Sequence, residues 1–425
     1  MDRSSSLLAS LRNTWPALLV LGVLVLFPVG RSAEAPLAIA AIAGLVLAWR
    51  RRRELLANAS VRLAAVLFAC YWLPTLISAF DSVNPTESWK TVATLLRFLP
   101  FAAFVCLTLC GAAVWQRIVH AIAAIVVLWL LDAWVQALTG YGIAGAPEAE
   151  RLTGIFGAGK PKLGPALAIL SPFVLIAARA AFGRRGLIVA FVFLLVPILL
   201  AGSRAAWIMY ALVALIFAWR ETRVPLRFFI WSAAAAALVA ITAIVAQHDS
   251  AGFSARVDRT LRVLQGSEQS VDDAAAGRLQ IWGTDLRMIA AHPVNGVGVR
   301  AFRYAYPQYA EANDSFVNRA RDEGAYHAHN LVLEVLTETG VIGLLLWIVG
   351  ALAAIRAWWR ALPDARSRAL APGLALAVMT FPLNTYFAFY SAEWGLFFWW
   401  LLALYCAALF ASDAKVDAAG TGHAA

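Results

Sequence analysis

Charge is scarce in this chain. Of 425 residues only 14% are Asp, Glu, Lys or Arg, while 62% are hydrophobic and the mean hydropathy is positive. A soluble domain carries roughly 25% charged and about 45–50% apolar residues. The composition therefore excludes a soluble domain and defines a polytopic membrane protein. Cysteine is scarce as well. The four, Cys70, Cys106, Cys110 and Cys406, all lie in apolar stretches and none falls in the long polar segment, which excludes a disulfide framework and reads them as small core residues. Internal repeats and low-complexity linkers are absent too. The alanine run Ala233 to Ala237 belongs to an apolar span, and the Ala/Gly-rich tail after Asp413 is expected to be disordered.

What the chain does have is apolar length. Windows of roughly 17–25 residues give twelve spans, near 14–30, 35–49, 62–80, 92–111, 118–138, 163–181, 186–201, 204–219, 227–246, 330–355, 368–388 and 394–411. Most are apolar all round, as bundle helices in lipid are. The seventeen tryptophans fit two wide interfacial belts, where an indole buries its ring and still hydrogen-bonds at headgroup level. A formal charge of +10 would suggest nucleic acid in a soluble protein. Here membrane topology accounts for it, so the expected partners are membrane lipids and no nucleic acid. Arg3 and Arg12 ahead of the first apolar run look like a signal-peptide start, but the spans that follow make a retained first helix the expectation.

Basic connections set the sidedness. Arg50 to Arg53, Arg117, Arg179 with Arg184 and Arg185, Arg220 with Arg223 and Arg227, and Arg356 to Arg368 fall on alternate sides, which makes them cytoplasmic. The connections 81–87, 140–162, 202–204, 247–328 and 386–393 are then outside. The expected organisation is transmembrane helices over 1–246, an outer loop domain over 247–328, further spans over 329–411 and a cytoplasmic tail over 412–425. Arginines within 247–328 do not oppose this, because long loops translocate largely regardless of charge.

Three basic residues converge on the outer face in this topology. Arg204 follows Ser203 in Gly202-Ser203-Arg204, where Ser203 is placed to cap a helix and the first free amides lie beside the guanidinium, an arrangement suited to phosphate. The plainer account is an arginine that snorkels to headgroups. Arg278 opens a helical stretch and shares a stripe with Ile281, Trp282, Asp285 and Ile289, so it faces inward and needs an anion, either a ligand or Asp285. His329 and Asn330 lead into the next span; helical spacing places Gly340 and Gly343 beneath the histidine, letting a neighbouring helix approach on that face. The plainer account there is a capping histidine with small-residue packing. His327 and His329 could share an ion, but no ligand set completes a metal site. Glu334, Glu338 and Glu393 stand near span ends, where interfacial solvation is expected, although acids at membrane depth would also suit a proton path in a transporter.

Taken in order, these motifs resemble the O-antigen ligases of the wider ligase and polymerase superfamily. His329-Asn330, nine residues, then Gly340-Val341-Ile342-Gly343 is the sharpest match, and it stands at the exit of the long outer loop as in that family. Arg204 after its Gly-Ser turn, Arg278 at the start of Arg278-Leu279-Gln280-Ile281-Trp282, and the segment His292 to Gly298 match further family elements. The stretch Gly154 to Lys162 departs from the usual Asn-containing pattern, and its lysines, Lys160 and Lys162, are read as donor contacts.

The resemblance implies an all-α integral membrane glycosyltransferase of GT-C-like architecture, with about twelve transmembrane helices and one large periplasmic loop containing helices. Such a protein lies in the bacterial inner membrane with its active site on the periplasmic face. It moves O-antigen from an undecaprenyl-diphosphate-linked donor to a lipid A-core acceptor, by inversion and without metal or cofactor. His329 would be the general base, Arg204 and Arg278 would hold the diphosphate, and Asn330, Gly340, Gly343 and Trp282 would support the site. The residue chemistry agrees: a sugar hydroxyl needs a base of near-neutral pKa, and a departing diphosphate needs compensating charge. A mobile outer loop is expected to gate the cleft. Alternatives left open are an O-antigen polymerase or a protein O-oligosaccharyltransferase of the same superfamily, and, from a different class, a transporter or flippase of lipid-linked saccharides.

Overall fold

Apolar runs become helices here because a bilayer offers nothing to satisfy a free backbone group. The computed structural model describes residues 3–55, 57–148, 151–159, 162–225 and 277–412. Within them lie α1 (Arg3–Leu26), α2 (Glu34–Arg50), α3 (Arg52–Leu55), α4 (Ala59–Ala79), α5 (Pro85–Leu95), α6 (Phe98–Thr108), α7 (Ala112–Thr139), α8 (Leu163–Leu200), α9 (Arg204–Thr222), α10 (Arg278–Ala291), α11 (Phe302–Tyr309), α12 (Leu331–Arg360), α13 (Pro363–Met379) and α14 (Ala392–Phe410). Among the described residues only isolated bridges stand where strands could. Side-chain caps mark the starts: Asn58 accepts from Ser60 N and Val61 N at α4, and Asn84 accepts from Glu87 N at α5, with Pro85 in the first turn.

Among the described residues seven helices are long and apolar enough to cross a membrane: α4, α5 with α6 as one stretch, α7, α8, α9, α12 and α14. The expected span near 92–111 is thus two eleven-residue helices meeting at Leu96 and Arg97. α2 and α13 are seventeen residues each, and the apolar part of α1 is Thr14–Leu26. The span expected at 227–246, the loop from 247 to 276 and the tail from 413 lie outside the described residues.

α8 runs for thirty-eight residues, yet it is no straight rod. A straight helix of that length would separate its ends by about 57 Å. Instead a Cβ placed on Gly164, near its start, would stand 3.0 Å from Ala201 Cβ, just past its end. The chain folds back at Gly183, whose φ of 65° and ψ of −153° lie outside the helical region and are open to a residue without Cβ. This hairpin corresponds to the two spans expected at 163–181 and 186–201.

Contacts group the connections into two ends. At one, Glu221 accepts from Arg179 and Arg184, Trp115 Nε1 donates to Arg368 O, and Ser412 N donates to Cys110 O. At the other, Leu152 N donates to Leu200 O, Val83 N donates to Val297 O, and Lys162 pairs with Glu393. α14 forms the centre of the bundle, buried along nearly its whole length. Aliphatic side chains such as Leu18, Ile39, Ile42, Leu128 and Leu352 are exposed on the outside. Apolar faces of that kind would be a liability in water and are natural against lipid tails.

The tryptophans divide differently from the expectation of two belts. Trp115, Trp129, Trp394, Trp399 and Trp400 are core residues, whereas Trp15, Trp49, Trp89, Trp219 and Trp359 are exposed. Burial is possible because helix carbonyls take the indole N–H: Trp400 donates to Val20 O at 2.8 Å and Trp115 to Arg368 O at 2.8 Å. Cys70, Cys106 and Cys406 are buried as expected, but Cys110 is exposed because α6 has already ended at Thr108.

Candidate functional site

His329 lies outside the helix it precedes. Asn330 is the N-cap of α12, its Oδ1 accepting from Val332 N at 3.0 Å and Leu333 N at 3.1 Å. The residue before it turns sharply, and His329 takes a φ of 52°, in the left-handed region that side chains rarely enter. The helical spacing that placed Gly340 and Gly343 beneath the histidine therefore does not hold. It fails at the other end too, since Gly340 interrupts α12 with a φ of 65° and ψ of −167°.

That interruption is filled by another part of the chain. The segment His292 to Gly298 runs into the break: Val341 N donates to Pro293 O and Ile342 N to Val294 O, while Val297 N donates to Thr337 O and Gly298 N to Glu338 O. Four backbone groups at the break thus find partners in this segment, the kind of condition under which a broken helix survives at membrane depth. A Cβ at Gly340 would strike Val294 O and the Asn295 N, and one at Gly343 would meet Thr339 and Pro74. The glycines do admit a close neighbour, but at Gly340 it is loop backbone rather than a helix. Val299 N and O are held in turn by Ser78 Oγ and Ser88 Oγ on α4 and α5. Residues 292–299 are a clamp between loop and bundle.

α10 lies over this clamp with its own small core of Ile281, Met288, Val297, Phe302 and Tyr306. Trp282 Nε1 donates to Ala328 O at 3.0 Å, fixing the residue just ahead of His329. Asp285, the alternative partner for Arg278, is fully buried and instead accepts from Thr337 Oγ1 at 2.7 Å. Burial, with Glu338 nearby, pushes its carboxyl up to about 8, so it is largely uncharged at neutral pH. Among the described residues no ion pair joins it to Arg278.

Arg278 is half-buried at the first turn of α10, where burial and the Arg204 charge both lower its pKa. Arg204 opens α9 behind Ser203, which caps the helix by accepting from Ala206 N. The fold therefore brings two guanidinium groups from distant parts of the chain within reach of each other's field. His329 shares that field: burial, then the Arg278 charge, hold its imidazole down at about 4, against the pull of Thr385 O. The ring is neutral at pH 7. Its Nδ1 donates to Thr385 O at 3.3 Å, which leaves the Nε2 lone pair unprotonated.

Lys160 lies outside the described residues. Lys162 caps α8 and is paired with Glu393 at the start of α14. The connection 380–391 joins the two neighbourhoods, since Thr385 holds His329 and Glu393 follows six residues after Phe387. Glu334 and Glu338 are not solvated at an interface as their positions suggested. They are 0% and 1% exposed, Glu334 accepting from Tyr390 N and Glu338 from Arg300 N at 2.7 Å. Among the described residues no group of three or more His, Cys, Asp or Glu is arranged to hold a metal ion.

Two participants had no signal in the sequence. Thr385 contributes a backbone carbonyl, which no side-chain pattern reveals, and the charge of Arg300, in a left-handed turn with φ 61° after the clamp, reaches His327. His327 carried a signal that pointed elsewhere, toward metal, because its spacing from His329 says nothing of how the turn folds.

These features define a multi-pass helical membrane protein in which a neutral histidine lies in the field of Arg278, and Arg278 in that of Arg204. Residues 189–348, which contain Arg204, Arg278, His329 and both glycines, match the family model described as O-Antigen ligase. The match supports an O-antigen ligase-like assignment for this part of the chain. No curated protein matches it.

Proposed function

We propose that this protein is an O-antigen ligase, transferring glycan from undecaprenyl diphosphate to the lipid A-core oligosaccharide at the periplasmic face of the bacterial inner membrane. The observation that carries this reading is the unprotonated Nε2 of His329 standing in the field of Arg278, which itself stands in the field of Arg204. The acceptor hydroxyl gives its proton to Nε2 as its oxygen attacks the anomeric carbon. The bond from that carbon to the diphosphate oxygen breaks, and the electron pair leaves on the phosphate, where the two guanidinium groups compensate the charge. A single displacement inverts the anomeric centre.

Both reactants are lipids, so the bilayer confines them to one plane and the protein has only to align two headgroups. An apolar groove of about 290 Å³ between α4, α12, α13 and α14 is lined by Leu67, Tyr71, Trp347, Leu374, Thr380 and Leu402 among others. It supports a place for a hydrocarbon tail, with Thr380 at one end only five residues from the Thr385 carbonyl that holds His329. Lys162, held by Glu393, would meet the donor from the opposite side of the 380–391 connection. Asn330, Trp282, Gly340 and Gly343 serve this reading by fixing the turn and the helix break around His329.

The test is transfer in proteoliposomes from labelled lipid-linked glycan to purified lipid A-core. A ladder on lipid A-core is expected; labelled product only on a second lipid-linked glycan would make the protein a polymerase. His329→Ala should keep donor binding and lose transfer, whereas export of glycan without transfer by the wild type would favour a flippase.

A further inference from the structure

The His329 turn is strained, and the His327 side chain bonds the backbone at its centre. A non-glycine residue at φ 52° is stable only where its surroundings enforce it. Here the His329 backbone N–H donates to Nδ1 of His327 at 3.1 Å, and the two rings face each other with centroids 3.9 Å apart at an interplanar angle of 45°. Because Nδ1 accepts, the proton of the neutral His327 ring sits on Nε2. Behind it, Glu334 Oε2 is buried without a hydrogen-bond partner, 3.9 Å from the same Nδ1.

We infer that His327 is a positioning residue of the transfer reaction: its Nδ1 locks the left-handed turn that aims the His329 imidazole at the acceptor hydroxyl. The inference rests on the reading of His329 as base. His327 itself exchanges no proton and forms no bond. The groups that face it are His329, Arg300 and Arg278, which favour its neutral state, and Glu334. Neutrality matters because an imidazolium forms on His329 during the reaction, and a second cation against its ring would oppose that step. Without the Nδ1 acceptor, a half-buried N–H loses its partner and the turn relaxes toward ordinary φ values, carrying the imidazole with it.

The experiment compares His327→Phe, which keeps a ring and removes the acceptor, with His327→Asn, whose amide oxygen can stand near the place of Nδ1. Both are measured as full-length protein in proteoliposomes with labelled lipid-linked glycan, beside His329→Ala. For His327→Phe, kcat is expected to fall on the order of 10²-fold with donor KM unchanged, the scale of a misplacement near 1 Å. His327→Asn should recover kcat to within about tenfold of wild type. Should the Phe variant fail to elute as a single species in detergent, His327→Ala takes its place in the comparison with Asn. Wild-type kcat in Phe or Ala, with His329→Ala inactive, would overturn the positioning role and leave the base intact. Equal losses in Asn and Phe, with donor binding retained, would also overturn it. Full activity in His329→Ala would remove the base reading and this inference together.

Discussion

At the scale of single residues, the proposed reaction makes His329 a weak base until the donor arrives. Its imidazole is held at about 4 chiefly by burial and then by Arg278. In the proposed complex a diphosphate beside Arg278 would cancel the second cause, and basicity would rise when substrate is present. The sign follows directly: activity is lost as pH falls through the His329 pKa, and that limb should lie near 4 in kcat/KM, which reports the free enzyme, but higher in kcat, which reports the donor complex. Steady-state rates from pH 4 to 8 check this, and coincident limbs would sink it. Asp285 behaves in the opposite sense. With its folded pKa raised to about 8, the folded state holds a proton that the unfolded chain releases above its ordinary value, so this residue costs stability as pH climbs from about 4 to 8. Asp285→Asn should keep transfer activity and raise the thermal midpoint by several degrees at pH 8, an effect that an Arg278 counter-ion could not produce. The inward face of Arg278 was legible from helical spacing, but the identity of its neighbour was not. Spacing names which residues share a stripe; it cannot say that Thr337, from another helix, claims the carboxylate.

At the scale of elements, the break in α12 organises the site. Residues 293–298 supply carbonyls and amides to both sides of it, so the outer segment that carries Asn330 and the inner segment below Gly340 are joined through the loop. Gly340→Ala sets a Cβ against the Val294 carbonyl at a φ of 65°, and the expected cost is about 2–4 kcal/mol. Thermal unfolding in detergent should show it, with transfer falling alongside; a variant as stable as wild type would mean the clamp is dispensable. The Gly-x-x-Gly motif and the His292 to Gly298 segment were each legible as motifs. That one inserts into the other was not, because the glycine spacing invites a neighbouring helix rather than loop backbone, and a helical wheel assumes an unbroken rod.

At the scale of the whole molecule, apolar length marked where helices would run, and the alternation of basic connections grouped the ends that the contacts then join. Cys110 offers a probe of sidedness, being the exposed cysteine among three buried ones. Under the proposed topology a membrane-impermeant maleimide should label it in inverted vesicles and leave it unlabelled in intact spheroplasts; the reverse pattern would turn the protein over in the membrane. The sequence by itself determined the class: a chain so poor in charge has to satisfy its backbone internally in lipid, and helices with capped ends are how it does so. It also marked His329, Arg204 and Arg278 as residues costly to keep there without use. Tertiary structure decided what surrounds them. A left-handed turn, a helix opened at Gly340 and a carbonyl at Thr385 depend on contacts between segments far apart in the chain, and such contacts leave no local period to read.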